Sequence, residues 1–205
     1  MIPDLVTPLW LLGLVGLGSY ALGSIPFGVV IARVMGLGDL RAIGSGNIGA
    51  TNVMRTGNKA AGVATFALDA LKGAIAALLA GWLIGPDAAQ VAAWAAFIGH
   101  LYPVYIGFRG GKGVATFIGI ALALAWPVGL ATCVTWIITF KASRYSSLAG
   151  LTACGMSSIY AGLMGYLPVV GVLVVAKLLV FYKHRENIKR LWNRTEPRFK
   201  KKTAR

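Results

Sequence analysis

Acidic side chains are scarce in this chain. Its 205 residues hold six of them, Asp4, Asp39, Asp69, Asp87, Glu186 and Glu196, scattered with no two close in sequence. Divalent-metal phosphotransfer needs clustered oxygen ligands, so that class is excluded, and neither a metal nor a cofactor is expected. Histidines number two, and neither heads an H-x-x-x-x-D motif; a histidine–aspartate base of that type is ruled out. No G-x-S-x-G nucleophile elbow occurs either. Two cysteines, Cys133 and Cys154, both lie in apolar segments, where free cysteine behaves as a small core residue. They suffice for neither a disulfide framework nor a zinc site. Charged residues make up only 13 %, against about 25 % in soluble domains. The N-terminal Met1-Ile2-Pro3-Asp4 has no basic residue and lacks the n-region of a signal peptide.

Apolar residues are abundant instead, at 57 % with a mean hydropathy of +0.72. That excludes disorder. Stretches 60–84 and 91–108 are mostly apolar, and about twenty such residues cross a bilayer as helix. The runs are continuous rather than alternating, unlike a membrane β-barrel. The expected fold is an all-α integral membrane protein. Net charge is +14, and half of the twenty Lys and Arg fall in 183–205. A basic tail beside a membrane reads as a contact with anionic lipid, and no nucleic-acid partner is expected.

Basic residues cluster at 33–59, 109–112, 141–144 and from Lys183 onward. Such clusters stay in the cytoplasm, so the three turns between them, at Gly85-Pro86-Asp87, Trp126-Pro127 and 162–168, lie outside. The count is a seven-transmembrane-helix bundle, N-terminus outside and C-terminus cytoplasmic. Segment 114–140 must then supply two short spans, each reaching only about 20 Å of a 30 Å core. The chain divides into a membrane domain, 1–182, and a basic cytoplasmic tail, 183–205.

Chemistry should sit on the inner face, where polar residues concentrate. Gly44-Ser45-Gly46-Asn47-Ile48-Gly49-Ala50-Thr51-Asn52-Val53-Met54-Arg55 matches G-x-G-x-x-G literally, but no sheet is available for a dinucleotide fold. The loop is still suited to an anion. Glycines allow close backbone approach and an N–H nest, Ser45, Asn47, Thr51 and Asn52 add neutral donors, and Arg55 adds a phosphate fork. A turn alone explains two glycines, not this density of polar groups.

Phe108-Arg109-Gly110-Gly111-Lys112-Gly113 is like a Walker A loop but has glycine where Ser or Thr should follow the lysine. Arg109 and Lys112 as mere positive-inside anchors would need no flanking glycines. These place backbone N–H groups beside a cation at a helix start. Near the end, His184 and Asn187 share a helical face. A lone histidine beside a basic tail also reads as an interfacial side chain that snorkels. Arg144-Tyr145-Ser146-Ser147 adds two hydroxyls. Asp69 and Lys72, an i,i+3 pair inside a span, read first as an ion pair locking helix packing.

Three segments together resemble the bacterial acyl-phosphate:glycerol-3-phosphate acyltransferases of the PlsY type: GSGNIGATNVMRTG at 44–57, GHLYPVYIGFRGGKGVAT at 99–116, and HRENIKRL at 184–191. YSSL at 145–148 and DALKG at 69–73 are lesser matches. Ile48 stands where the family often has Pro, and Arg109 where it often has Lys. The 197–205 tail matches nothing.

The resemblance implies acyl transfer from acyl phosphate to the sn-1 hydroxyl of glycerol 3-phosphate, giving lysophosphatidic acid and phosphate, the first step of phospholipid synthesis. It implies a monomer in the bacterial inner membrane with its site facing the cytoplasm. Carried over by motif, Ser45, Arg55, Lys112, His184 and Asn187 are the catalytic candidates. The same five with Gly46, Asn47, Gly49, Thr51, Asn52, Gly111, Gly113 and Ser147 are the substrate-binding candidates, with 183–196 of the tail contributing. The competing class is a small-anion transporter or channel, which wants broken helices and polar groups at midplane; here the rich loops lie at one face.

Overall fold

In the computed structural model, which describes residues 4–199, all regular structure is helical. Expectations for residues 1–3 and 200–205 fall outside the described residues. The helices are α1 (Leu9–Gly23), α2 (Phe27–Val34), α3 (Ala50–Met54), α4 (Lys59–Leu83), α5 (Pro86–Leu101), α6 (Val114–Leu124), α7 (Trp126–Ser143), α8 (Ser146–Leu163), α9 (Leu167–Lys183) and α10 (Arg185–Trp192), with one 3₁₀ turn at Val104–Ile106.

Local signals set the boundaries. Pro26 interrupts the first apolar run, dividing α1 from α2. Asn58 caps α4 by accepting the Ala61 N–H at 3.0 Å. Prolines open α5, α7 and α9, where the missing N–H costs nothing. By length and composition Leu9–Val34 and Lys59–Leu83 can each cross a membrane, and α9 with α10, bent by 63°, forms a third candidate.

The packing is that of a membrane protein. Between α1, α4 and α5 the core is mostly alanine: Ala76, Ala80, Ala88, Ala92 and Ala96, with Leu12. Bulky Leu9, Trp10, Leu17, Trp82 and Leu83 are exposed on the outer surface. Small residues inside and large ones outside suit helices that gain from close backbone approach while lipid covers the rest. Gly119 of α6 lies so close to Ala70 of α4 that a Cβ would strike the Ala70 carbonyl.

Tertiary contacts define two ends. At one, Asp87 accepts the Val6 and Thr7 N–H groups and the Thr7 hydroxyl, and Gln90 donates to the Pro168 carbonyl at 2.9 Å. At the other, Arg41 Nη2 donates to the Arg109 carbonyl at 2.7 Å, the Thr51 and Ser146 hydroxyls are 2.8 Å apart, and Lys112 Nζ meets Asn187 Oδ1. All four basic clusters therefore gather at one end. The 114–140 segment does form a hairpin, but its arms are unequal: 11 residues in α6 and 18 in α7, with only Ala125 between them. Both arms return to the polar end, where Val114 and Trp136 border the same cavity.

Candidate active site

The polar end encloses a cavity of about 110 Å³. Its first wall is the loop leading into α3. Gly44 and Gly46 adopt the left-handed conformation, at φ 54° and 65°. Ser45, Asn47, Gly49, Thr51 and Arg55 border the cavity. Asn52 does not. It is buried beneath the loop, its Oδ1 accepting the Ser45 N–H at 3.1 Å and its Nδ2 donating to the Leu40 carbonyl at 2.7 Å. Its amide is consumed in folding the loop. Gly46 is likewise absent from the lining and serves the turn, its N–H bonded to the Ile43 carbonyl.

The second wall is the lysine loop. Gly113, at φ 88°, starts α6, and a side chain there would strike the Phe97 ring. Gly111 donates its N–H to the His100 carbonyl, and a Cβ on it would collide with His100 Nε2. Gly111 lines the polar mouth outside the cavity, beside Lys183 and Arg185. Lys112 reaches the cavity itself. Burial, followed by the field of Arg190, lowers its ammonium pKa to about 8, with Glu196 opposing. Burial also pulls Arg55 below its ordinary range, against the attraction of Glu196.

The third wall comes from the bend between α9 and α10. His184 and Asn187 are both 4 % exposed and both border the cavity. His184 Nδ1 lies 2.8 Å from the Val180 carbonyl, which assigns the proton to Nδ1 and leaves Nε2 without one when the ring is neutral. Burial first, then Lys112, depresses its pKa to about 4. The ring is therefore neutral at pH 7.

Glu196 ties these walls together, and sequence reasoning did not single it out. Its Oε1 accepts Ser147 Oγ at 2.6 Å and Asn187 Nδ2 at 2.7 Å; its Oε2 accepts Arg190 Nε at 2.7 Å. Burial alone would raise its pKa, but the donors Ser147, Asn187 and Arg190 outweigh that and hold it low. Beyond it, Pro197 lines the cavity, and the Phe199 ring packs edge-on against Phe140 at 5.6 Å, with Arg55 6.0 Å from its centre.

Asp69 and His100 also border the cavity. The Asp69–Lys72 ion pair is present, at 2.7 Å. His100 Nδ1 lies 3.5 Å from the same carboxylate oxygen, so the fold brings together across two helices a histidine and an aspartate that no linear motif joins. Ser146 and Ser147 add hydroxyls to the lining, and Phe66, Val114 and Trp136 form an apolar wall.

A helical, lipid-facing bundle that gathers cations, a neutral histidine and an apolar wall at one end defines an integral membrane enzyme acting on phosphate-bearing substrates. The family described as glycerol-3-phosphate acyltransferase matches over residues 13–194, and this chain belongs to it. A glycerol-3-phosphate acyltransferase of Cereibacter sphaeroides is 55 % identical over 98 % of this chain and 96 % of its own. A crystal structure of PlsY, an integral membrane glycerol 3-phosphate acyltransferase in its glycerol 3-phosphate form, is 43 % identical with a TM-score of 0.88, covering 92 % of this chain and 96 % of that one. The lysophosphatidic acid form of PlsY matches at 40 % identity and a TM-score of 0.84, over 92 % of this chain and 95 % of that one.

Proposed function

We propose that this enzyme transfers an acyl group from acyl phosphate to the sn-1 hydroxyl of glycerol 3-phosphate, releasing lysophosphatidic acid and inorganic phosphate. One observation carries the reading: Arg55 and Lys112, on separate loops, border one cavity with an apolar wall, and neither is in an ion pair among the described residues. Two cations without a carboxylate partner among the described residues suit two phosphates, and the apolar wall suits an acyl chain.

In this mechanism the glycerol hydroxyl oxygen attacks the acyl carbonyl carbon. The carbon–oxygen bond to phosphate breaks, and phosphate departs with the electron pair. Acyl phosphate is a mixed anhydride with a good leaving group, so positioning and charge stabilisation supply much of the rate. A substrate phosphate oxygen takes the hydroxyl proton. Arg55 and Lys112 hold phosphate, Ser45, Asn47, Gly49 and Thr51 line the anion site, and His184 with Asn187 orients glycerol 3-phosphate. Ser147 and Asn187 are set by Glu196.

Residues 1–182 form the membrane domain, crossing the bilayer seven times with the N-terminus outside. Residues 183–205 are its basic cytoplasmic tail, of which 183–196 complete the site. The enzyme works as a monomer in a bacterial inner membrane, its site open to the cytoplasm. The gathering of four basic clusters at one end supports this orientation.

Purified protein given acyl phosphate and glycerol 3-phosphate should turn over equally with and without a metal chelator. Acyl-CoA offered in place of acyl phosphate should not support turnover. Comparable rates with both donors would reject the assignment.

A further inference from the structure

A second hollow, of about 720 Å³, opens beside the active site, between the end of α2 and the 104–109 turn. Arg33, Arg41 and Arg109 line it, with Leu40, Ile48 and Ile106 as its apolar wall. The mechanism uses none of the three arginines. Among the described residues the ion pairs are Lys72–Asp69, His100–Asp69, Arg185–Glu186 and Arg190–Glu196, so none of the three is neutralised. Asp39 also borders the hollow, but its Oδ1 accepts the backbone N–H of Arg41 at 2.8 Å. Arg41 is held in place by donating Nη2 to the Arg109 carbonyl. With the Asp39 carboxylate counted, three arginines still leave the concavity with a net charge of +2, and a phosphate with several acceptor oxygens relieves the repulsion among them.

The margin indicates the source of the phosphate. The turn carrying Arg109 exposes Tyr105 and Phe108, and the end of α2 exposes Val34 and Met35. Aromatic and apolar side chains beside arginines mark the headgroup level of a bilayer. A free anion has no use for that margin.

The hollow is also wired to the catalytic loop. Leu40, in its wall, accepts the Asn52 amide, and the same amide's oxygen holds the Ser45 N–H. Ile48 lines the hollow while its neighbours Asn47 and Gly49 line the catalytic cavity.

We propose that this hollow is a binding site for the phosphate-bearing headgroup of an anionic membrane lipid, and that its occupancy holds the 36–49 loop in its catalytic arrangement. The proposal requires a membrane enzyme but not a particular acyl donor, so lipid binding and donor choice can fail separately.

The test uses the full chain in nanodiscs of phosphatidylcholine doped with phosphatidylglycerol, read by native mass spectrometry and by the KM for glycerol 3-phosphate. Each arginine at an anionic surface is worth about fivefold in affinity. The triple variant R33Q/R41Q/R109Q should therefore retain phosphatidylglycerol about a hundredfold less well than the wild type, which should keep one molecule per chain. KM should fall severalfold as phosphatidylglycerol is added to the wild type and stay constant in the variant. The variant R33K/R41K/R109K keeps the charge without the planar fork and should fall between the two, which guards against misreading a misfolded triple variant. Equal retention by wild type and the glutamine variant would overturn the proposal. So would equal retention of an anionic lipid without phosphate, which marks diffuse surface attraction, and so would a response to inorganic phosphate alone with no lipid retained.

Discussion

Two cations and one histidine divide the work at the level of single side chains. Charge-assisted hydrogen bonds are worth about 1.5–3 kcal/mol each, so Arg55→Ala or Lys112→Ala should lower kcat/KM by roughly tenfold to over a hundredfold, as steady-state assays with acyl phosphate would measure. Lys112, with its pKa at about 8, is charged below that value and neutral above it. Activity should therefore fall as pH rises through 8. Lys112→Arg should move that alkaline limb upward, because a guanidinium stays protonated, and an unmoved limb would clear Lys112 of responsibility for it. His184, with a pKa of about 4, is neutral from pH 5 upward and contributes no limb near the ordinary 6.5. His184→Gln should raise KM for glycerol 3-phosphate, keep much of kcat and leave the shape of the kcat–pH profile unchanged. A collapse of kcat at constant KM, with the acid limb lost, would make His184 the general base.

Elements hold these side chains, and their assembly was only partly legible in the sequence. The glycine-rich loop, the lysine loop and the His184–Asn187 pair stood out because glycine and polar density is abnormal beside apolar spans, and all three do meet at one cavity. Composition cannot tell an amide that faces a ligand from one that staples its own loop, as the Asn52 amide does. His100 and Asp69 were invisible as neighbours because 31 positions separate them and α4 and α5 must pack to bring them together. Glu196 gave no signal, being one carboxylate in a basic tail, yet it receives donors from α8 and α10. Its pKa is held below the ordinary value in the folded state. The stability it adds is thus fully present above the ordinary carboxylate pKa near 4.3 and is lost as pH falls through the lower folded value. Glu196→Gln should lower Tm at neutral pH and narrow its gap to wild type in acid. It should also reduce activity, since a carboxamide has one acceptor oxygen in place of two and cannot serve Ser147, Asn187 and Arg190 together. An unchanged Tm at neutral pH, with activity intact, would show the clamp to be dispensable.

For the whole molecule, the question is how a chain with so few conventional spans sits in a bilayer. Among the described residues only Leu9–Val34 and Lys59–Leu83 are long and apolar enough by themselves, and α6 has just 11 residues, about 16 Å of helix. The 13 % charge and the parity of basic clusters nevertheless made a multi-helix membrane bundle readable before any coordinates. Trp126-Pro127 marked the break itself, since its proline opens α7, but the inequality of the arms was not legible, because α7 continues past Phe140 to Ser143 with no signal in the apolar pattern. Gly129 presses so closely on Leu122 that any side chain there would strike backbone. A short α6 is tolerable where it is shielded: Phe117, Ile118, Ile120 and Ala121 are all buried, so most of its surface meets protein and little meets lipid. The proposed seven-pass arrangement makes a definite demand on accessibility. In the intact cell, single cysteines introduced near Asp87 should react with an impermeant thiol reagent, and those near Lys141 should react only after the membrane is opened. The native Cys154 is fully buried and Cys133 lies partly buried within α7, so the background should be low. Labelling at Lys141 from outside would mean that α6 and α7 cross as a single span, which would turn the sites at Ser147 and Lys112 to opposite faces and dissolve the cavity that Lys112, Ser147 and Asn187 share.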